Sequence, residues 1–198
     1  WSIYPGSPGG FLHFSEGQWH RIETDEVHWE NTGNIPVCPI SFLPTAQGQI
    51  LFLLPDRLLR FSSKPRETEV LLRVGETILG RFTEMIAARD GGLWIAAEKG
   101  VAKFHEAGKA GSENPTCHES PFPEDFGLHD LTKVFEGDEG DVFGLAEAPE
   151  SGETVLVHFD GQTWSRIANP SENRLFAGWR GSDERIWMLT VHGESRSS

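Results

Sequence analysis

Cysteine, methionine and tyrosine are nearly absent: the 198 residues include two Cys, two Met and one Tyr. Cys38 and Cys117 are too few for a disulfide framework and form no Cys-x-x-Cys pair, which excludes a small stapled scaffold and leaves the redox compartment open. No apolar run approaches the roughly 20 residues of a membrane-spanning helix, and no heptad or long 3.6-residue stripe is present, so no membrane contact is expected in this segment. Cations are outnumbered, with 17 Lys and Arg against 30 Asp and Glu for a formal charge of −13. Binding to phosphate backbones needs clustered Lys and Arg, so no nucleic-acid partner is expected. Acidic side chains spread over turns and outward strand faces serve solubility rather than a cation site. A Gly-x-Ser-x-Gly elbow, a phosphate loop, a His-Glu-x-x-His pair and a dinucleotide fingerprint are all missing, which leaves catalysis without a visible carrier and calls for no cofactor. The chain starts at Trp1 with no signal-peptide pattern, which predicts that its natural start lies upstream.

What the sequence has in quantity is punctuation. Twenty-two Gly and twelve Pro interrupt a chain that is 37% hydrophobic and 11% aromatic, the composition of a folded body made of many short strands. Internal similarity organises those strands. The segment Leu12-His13-Phe14-Ser15-Glu16-Gly17-Gln18-Trp19-His20-Arg21-Ile22 returns, with one insertion, as Val157-His158-Phe159-Asp160-Gly161-Gln162-Thr163-Trp164-Ser165-Arg166-Ile167. Each reads as two short strands joined by a tight Gly-containing turn. A second element recurs upstream of that hairpin, most clearly from Ala88 to Ala97 and on through Phe104. Its counterparts run from Gln47 to Leu53 with Leu58 to Phe61, from Asp138 to Leu145 and from Ser182 to Leu189, and Trp1-Ser2-Ile3 is a truncated first copy. The aligned aromatics are Trp1, Phe52, Trp94, Phe143 and Trp187, at spacings of 51, 42, 49 and 44 residues.

Each period holds four strand candidates. In the third copy they run from Phe82 to Ala88, through Ala97, and from Val101 to Phe104, with the fourth hidden in the loop beyond; copies one and four show that fourth strand at Trp19 to Ile22 and Trp164 to Ile167. Four antiparallel strands in a period of about 40 to 50 residues make a propeller blade. One twisted four-stranded sheet cannot bury both faces alone, so Trp1, Trp19, Trp94, Trp164 and Trp187 are expected in the core between neighbouring blades. The predicted fold is all-β, a β-propeller of four-stranded antiparallel blades with about four blades present. It covers 1–198 as a single region, divided into a partial blade 1–30, blades 37–78, 82–122 and 131–170, and a partial blade 174–198. Four-blade closure would duplicate Trp1 to Tyr4 with Ile186 to Thr190. The expectation is therefore a partial propeller that belongs to a larger parent or associates with a protein partner or a second copy through exposed blade edges.

The run Asp90-Gly91-Gly92-Leu93-Trp94-Ile95-Ala96, followed by Gly100-Val101-Ala102-Lys103-Phe104, closely resembles the two-component regulator propeller repeat. In that family an acidic-Gly turn, a Leu-Trp-Ile strand and a Gly-hydrophobic-x-Arg/Lys-Phe strand recur. The resemblance covers most of the chain through the repeat. It implies the β-propeller sensor region of a hybrid histidine kinase or related protein, extracytoplasmic and periplasmic, with a carbohydrate or other small molecule as ligand and a kinase elsewhere in the parent.

Two clusters suggest cations and are better read as turns. Arg89-Asp90-Gly91-Gly92 and Gly137-Asp138-Glu139-Gly140-Asp141 stand where the repeat places the turn between first and second strands, and neither fits a twelve-residue calcium loop. Cys117-His118-Glu119 with His129-Asp130 offers zinc-type donors in a Pro-rich loop without the four convergent ligands a zinc site needs, so no metal is predicted. Loops joining second to third strands and linking consecutive blades gather on one face, and Tyr4, Trp29, Arg57 and Lys99 are the predicted ligand contacts there. Of the Trp residues outside repeat positions, Trp29 is preferred over Trp179. The expected function is noncatalytic ligand recognition. A protein-interaction scaffold and a propeller-type lyase or hydrolase are the alternatives, separable by a broad surface patch or by convergent titratable groups.

Overall fold

A computed structural model of the chain describes residues 2–4, 10–24, 28–29, 36–37, 40–45, 48–63, 66–108, 111–138, 140–169, 174–181 and 185–191. Strands β1 (Ser2–Tyr4), β2 (Gly10–Ser15) and β3 (Gln18–Glu23) form one antiparallel sheet in that order, and β4 (His28–Trp29) pairs with β5 (Pro36–Val37). Three four-stranded antiparallel meanders follow. The first is β6 (Ser41–Pro44), β7 (Ile50–Leu54), β8 (Arg57–Ser63) and β9 (Arg66–Arg73). The second is β10 (Phe82–Ala87), β11 (Leu93–Ala97), β12 (Gly100–His105) and β13 (Thr116–Pro121). The third is β14 (His129–Glu136), β15 (Val142–Ala148), β16 (Glu153–Phe159) and β17 (Trp164–Ile167), after which β18 (Arg174–Arg180) pairs with β19 (Ile186–Val191). The chain falls into two compact units, Trp1–Arg73 and Val74–Ser198.

The turns explain why these strands reverse where they do. Between β2 and β3, Glu16 and Gly17 both take positive φ, 53° and 78°, the two-residue turn whose twist matches a hairpin. Its duplicate carries one more residue and closes differently: the Asp160 carboxylate accepts the N–H groups of Gln162 and Thr163 at 2.8 and 2.7 Å. Those donors hold the Asp160 carboxyl below its usual range.

Alternation along each strand separates two packing faces. In β11, Trp94 and Ala96 face the following sheet, where they meet Val134, Val142, Ala146, Val157 and Phe159 in one buried cluster. In β15 the same face carries Phe143 and Leu145, which pack with Leu175, Ile186 and Met188 of the next pair of strands. Within the first unit Phe11 meets Ile50, Phe52, Leu54, Leu59 and Phe61. Within each unit, consecutive sheets bury apolar faces against one another, as blades do.

Register corrects one alignment. Trp94 lies opposite Lys103 and Phe143 opposite His158, while in the earlier blade it is Leu51, not Phe52, that lies opposite Arg60. Phe52 is one residue out of step, and a one-residue step turns a side chain to the other face. It packs on Phe11, with ring centroids 5.2 Å apart, instead of taking the place of Trp94. The repeated Trp residues also divide. Trp94 is buried and Trp164 is covered by Phe122 and Phe126 of the preceding connection, but Trp19 is 60% and Trp187 is 49% exposed, against the expectation that all would be core. Trp94 and Trp164 owe their cover to side chains of the adjoining sheet and connection, whereas the ring partner of Trp19 is Phe14 of its own hairpin. Trp1 lies outside the described residues.

Candidate functional site: a groove across three first strands

The first strand of each blade carries one unpaired edge. Side chains of the neighbouring blade bridge to it: Val134 N–H donates to the Glu84 carboxylate at 2.6 Å and the Leu131 carbonyl accepts from the Thr83 hydroxyl, while in the other direction the Glu136 carboxylate accepts the Arg89 N–H at 2.8 Å. Strands β10, β14 and β18 stand next to one another and border an open groove of about 640 Å³. Its lining comes from the late ends of those strands: Glu84, Ile86 and Arg89, then Phe135 and Glu136, then Trp179 beside Gly178 and Gly181. Such a volume lies within the range of small-molecule sites, about 300–1,000 Å³.

Polar groups in the groove are positioned by their partners. Glu84 is held by Lys133 at 2.8 Å. Glu136 is buried, 8% exposed in its side chain, and accepts the Trp94 indole N–H at 3.0 Å while Lys103 stands 3.5 Å away. The Lys103 ammonium lies 4.2 Å above the Trp94 ring and 3.1 Å from Asp90. Burial pushes the Asp90 carboxyl up, but the Gly92 N–H, Lys103 and His105 together hold it below its ordinary value. Arg89 reaches toward Glu136 at 4.0 Å and Asp138 at 3.9 Å and stays half exposed, as does the indole of Trp179. The groove therefore presents a planar cation and an aromatic face over anchored carboxylates.

The blade after it repeats the same device with other residues. His158 stacks on Phe143 at 4.4 Å and meets Asp141 at 2.8 Å, in the register places of Lys103, Trp94 and the turn that carries Asp90. A nitrogen-bearing side chain over an aromatic ring, tied to an acid of the first turn, thus recurs in two consecutive blades. The acidic-Gly turns read as structural from the sequence do hold carboxylates engaged with the protein, Asp90 with Gly92, Lys103 and His105, and Asp141 with His158. Cys117 is a thiol half-buried on β13; burial, then Glu119 and Glu76, push its pKa up to about 11. Among the described residues no group of His, Cys, Asp and Glu stands close enough to hold a metal ion.

Two of the four predicted contacts, Arg57 and Lys99, have described side chains. Lys99 lies in the β11–β12 turn, at the opposite end of its sheet from the β10–β11 turn that flanks the groove, and is exposed. Arg57 opens β8, half-buried, with Asp56 at 3.4 Å. Tyr4 ends β1 and Trp29 lies on β4; their side chains are outside the described set. Trp179 and Phe135 are aromatics that line the groove, and Trp179 is a Trp off the repeat positions, on the first strand β18.

No protein-family model matches the chain, and no curated protein sequence matches it. Solved structures do. A streptogramin B lyase superposes with a TM-score of 0.55 at 16% identity, covering 79% of this chain and 50% of that one. The extracellular domain of a protein described as a hybrid two-component system of B. thetaiotaomicron superposes with a TM-score of 0.54 at 8% identity over 84% of this chain and 22% of that one. A second such domain from the same organism gives 0.50 at 13% identity, over 93% and 29%. The chain spans half the length of the first of these and under a third of the others. No helix among the described residues is long and apolar enough to cross a membrane. What the similarity shows is the architecture: this chain is built of β-propeller blades.

Proposed function

We propose that this chain is a noncatalytic ligand-recognition propeller, the extracytoplasmic, periplasmic sensor part of a two-component regulator, with the groove across β10, β14 and β18 as its recognition surface. The groove carries the reading: a half-exposed indole and a half-exposed guanidinium stand over carboxylates already fixed by the fold. Rigid support of this kind suits binding, because contacting groups need little reordering when a ligand arrives. A saccharide matches the lining. Its apolar ring face fits the Trp179 indole, and its hydroxyls can donate to Glu84 or Glu136 and accept from Arg89. The two-component proteins whose extracellular domains share this fold support the sensor role, and the repeat around Trp94 supports the regulator family. Arg57 and Lys99, with Tyr4 and Trp29, are a second proposed contact set at the turns of their own sheets.

The test is a glycan array followed by calorimetric titration of the best hit. Trp179→Ala and Arg89→Ala are each expected to weaken binding about tenfold or more, about 1.4 kcal/mol. Unchanged affinity in both variants would remove the groove from the account, and loss in Arg57→Ala and Lys99→Ala instead would move the site to the turns.

A further inference from the structure

The hydrogen bonds around the groove leave one charged group unengaged, and that group points to the class of ligand. Resting on the groove as the recognition surface, we propose that its ligand is a saccharide that carries a carboxylate, held by paired hydrogen bonds from the Arg89 guanidinium while a sugar ring lies on the Trp179 indole. Every residue that lines the groove belongs to the unit Val74–Ser198, so the site is a feature of that unit alone.

Each lining carboxylate is already matched to donors of the protein. The Glu84 Oε1 accepts from the Lys133 ammonium at 2.8 Å, and its Oε2 accepts the Val134 N–H at 2.6 Å. The Glu136 Oε1 accepts the Trp94 indole N–H at 3.0 Å with the Lys103 ammonium at 3.5 Å, and its Oε2 accepts the Arg89 backbone N–H at 2.8 Å. A lysine thus stands against each of the two acids. An ammonium on a ligand would meet acids whose charge is already answered, so an amino sugar is the poorer fit.

The Arg89 guanidinium is in the opposite state. Its nearest acids are Glu136 at 4.0 Å and Asp138 at 3.9 Å, both beyond hydrogen-bond length, and among the described residues it donates no hydrogen bond. Its backbone is fixed all the same: the Arg89 N–H is tied to Glu136, and Ala88 N–H closes the turn on the Gly92 carbonyl at 2.9 Å. A guanidinium presents its N–H donors in a planar fork, and a carboxylate accepts two of them side by side with charge assistance that a sugar hydroxyl lacks. Asp138 is the competitor for that fork. It is mostly exposed, and an exposed pair at this distance contributes little, so a ligand carboxylate displaces it readily. Trp179 lines the same groove and offers a ring face, and a uronic or sialic acid joins a ring and a carboxylate in one residue.

A glycan array tests the proposal on the full chain. Its arms are uronate oligosaccharides, sialylated glycans, the methyl ester of each acid, and neutral, sulfated and amino glycans, with calorimetry of the tightest binder. Binding is expected in the uronate or the sialylated arm, and the arm that binds identifies the acid. Esterification should weaken it about tenfold or more, a comparison that leaves the protein untouched. Arg89→Lys keeps the charge and removes the fork; it should weaken the acid about tenfold and leave the ester unchanged. Tightest binding to a neutral, sulfated or amino glycan, equal affinity for acid and ester, or unchanged acid binding in Arg89→Lys would overturn the proposal. If Trp179→Ala then still weakens the observed binder, the groove stands as a recognition surface for a different ligand. Affinity unchanged in both variants, or an array with no bound glycan, would overturn the groove and the proposal together.

Discussion

Glu136 ties two blades together through the Trp94 indole and the Arg89 backbone, and its removal is the sharpest test of how they are joined. Its Oε1 accepts the Trp94 indole N–H at 3.0 Å and its Oε2 the Arg89 backbone N–H at 2.8 Å, with Lys103 3.5 Å away. In Glu136→Ala both donors lose their acceptor. The indole N–H is buried and costs about 1–3 kcal/mol when left unpaired, and the part-buried Arg89 N–H costs less because water can reach it. Lys103 keeps Asp90 at 3.1 Å, so its charge is not abandoned. Together with the lost packing, a destabilisation of about 3 kcal/mol is expected, or about 6–12 °C in melting temperature for a protein of this size. Thermal unfolding followed by circular dichroism reads the shift. A double-mutant cycle with Trp94→Phe isolates the cross-blade bond: beyond the packing lost in both backgrounds, the Phe variant should cost about 1 kcal/mol more with Glu136 present than without it. A melting shift under about 2 °C for Glu136→Ala, or equal costs for Trp94→Phe in both backgrounds, would refute the reasoning.

Other consequences follow from the same contacts. Gly144 faces the preceding blade, and a Cβ there would stand 2.5 Å from Leu131 Cδ1 and 2.7 Å from the Lys133 carbonyl; Gly144→Ala should lose about 1–3 kcal/mol in a urea titration, and a neutral result would mean the strands shift apart freely. With its pKa near 11, the Cys117 thiol should react with iodoacetamide at pH 8 far more slowly in the folded chain than in denaturant, and equal rates would contradict its burial. Asp90, Glu98 and Asp160 are held below their ordinary pKa values, so the stability they contribute is present above the unfolded carboxyl range near about pH 4 and is lost as the pH falls through their lower folded values. A melting-temperature profile from neutral to acid pH should fall steeply there and flatten in Asp90→Asn; an unchanged slope would remove Asp90 from the acid response.

The blades were legible in the sequence because the signals are local. Two hairpins share nearly every residue from Leu12 to Ile22 and from Val157 to Ile167, and the structure gives them identical cross-strand partners, Phe14 with Trp19 and Phe159 with Trp164. The fourth strand of the second meander, Thr116–Pro121, was hidden because its Cys117, His118 and Glu119 carry no apolar alternation. Phe52 misled for a physical reason: β7 is apolar at every position, so nothing in Ile50 to Leu54 marks which residues face forward, and only pairing with Arg60 settles it on Leu51. The groove was not legible at all. It exists because side chains such as Glu84 and Glu136 reach about fifty residues along the chain to the neighbouring first strand, and no local pattern records that reach.

Titration of one array-selected ligand into Trp179→Ala and Lys99→Ala, side by side with the wild-type chain, tests the central claim most directly. Recognition in the groove predicts that Trp179→Ala binds at least about tenfold more weakly while Lys99→Ala retains wild-type affinity. Wild-type affinity in Trp179→Ala together with loss in Lys99→Ala would contradict it.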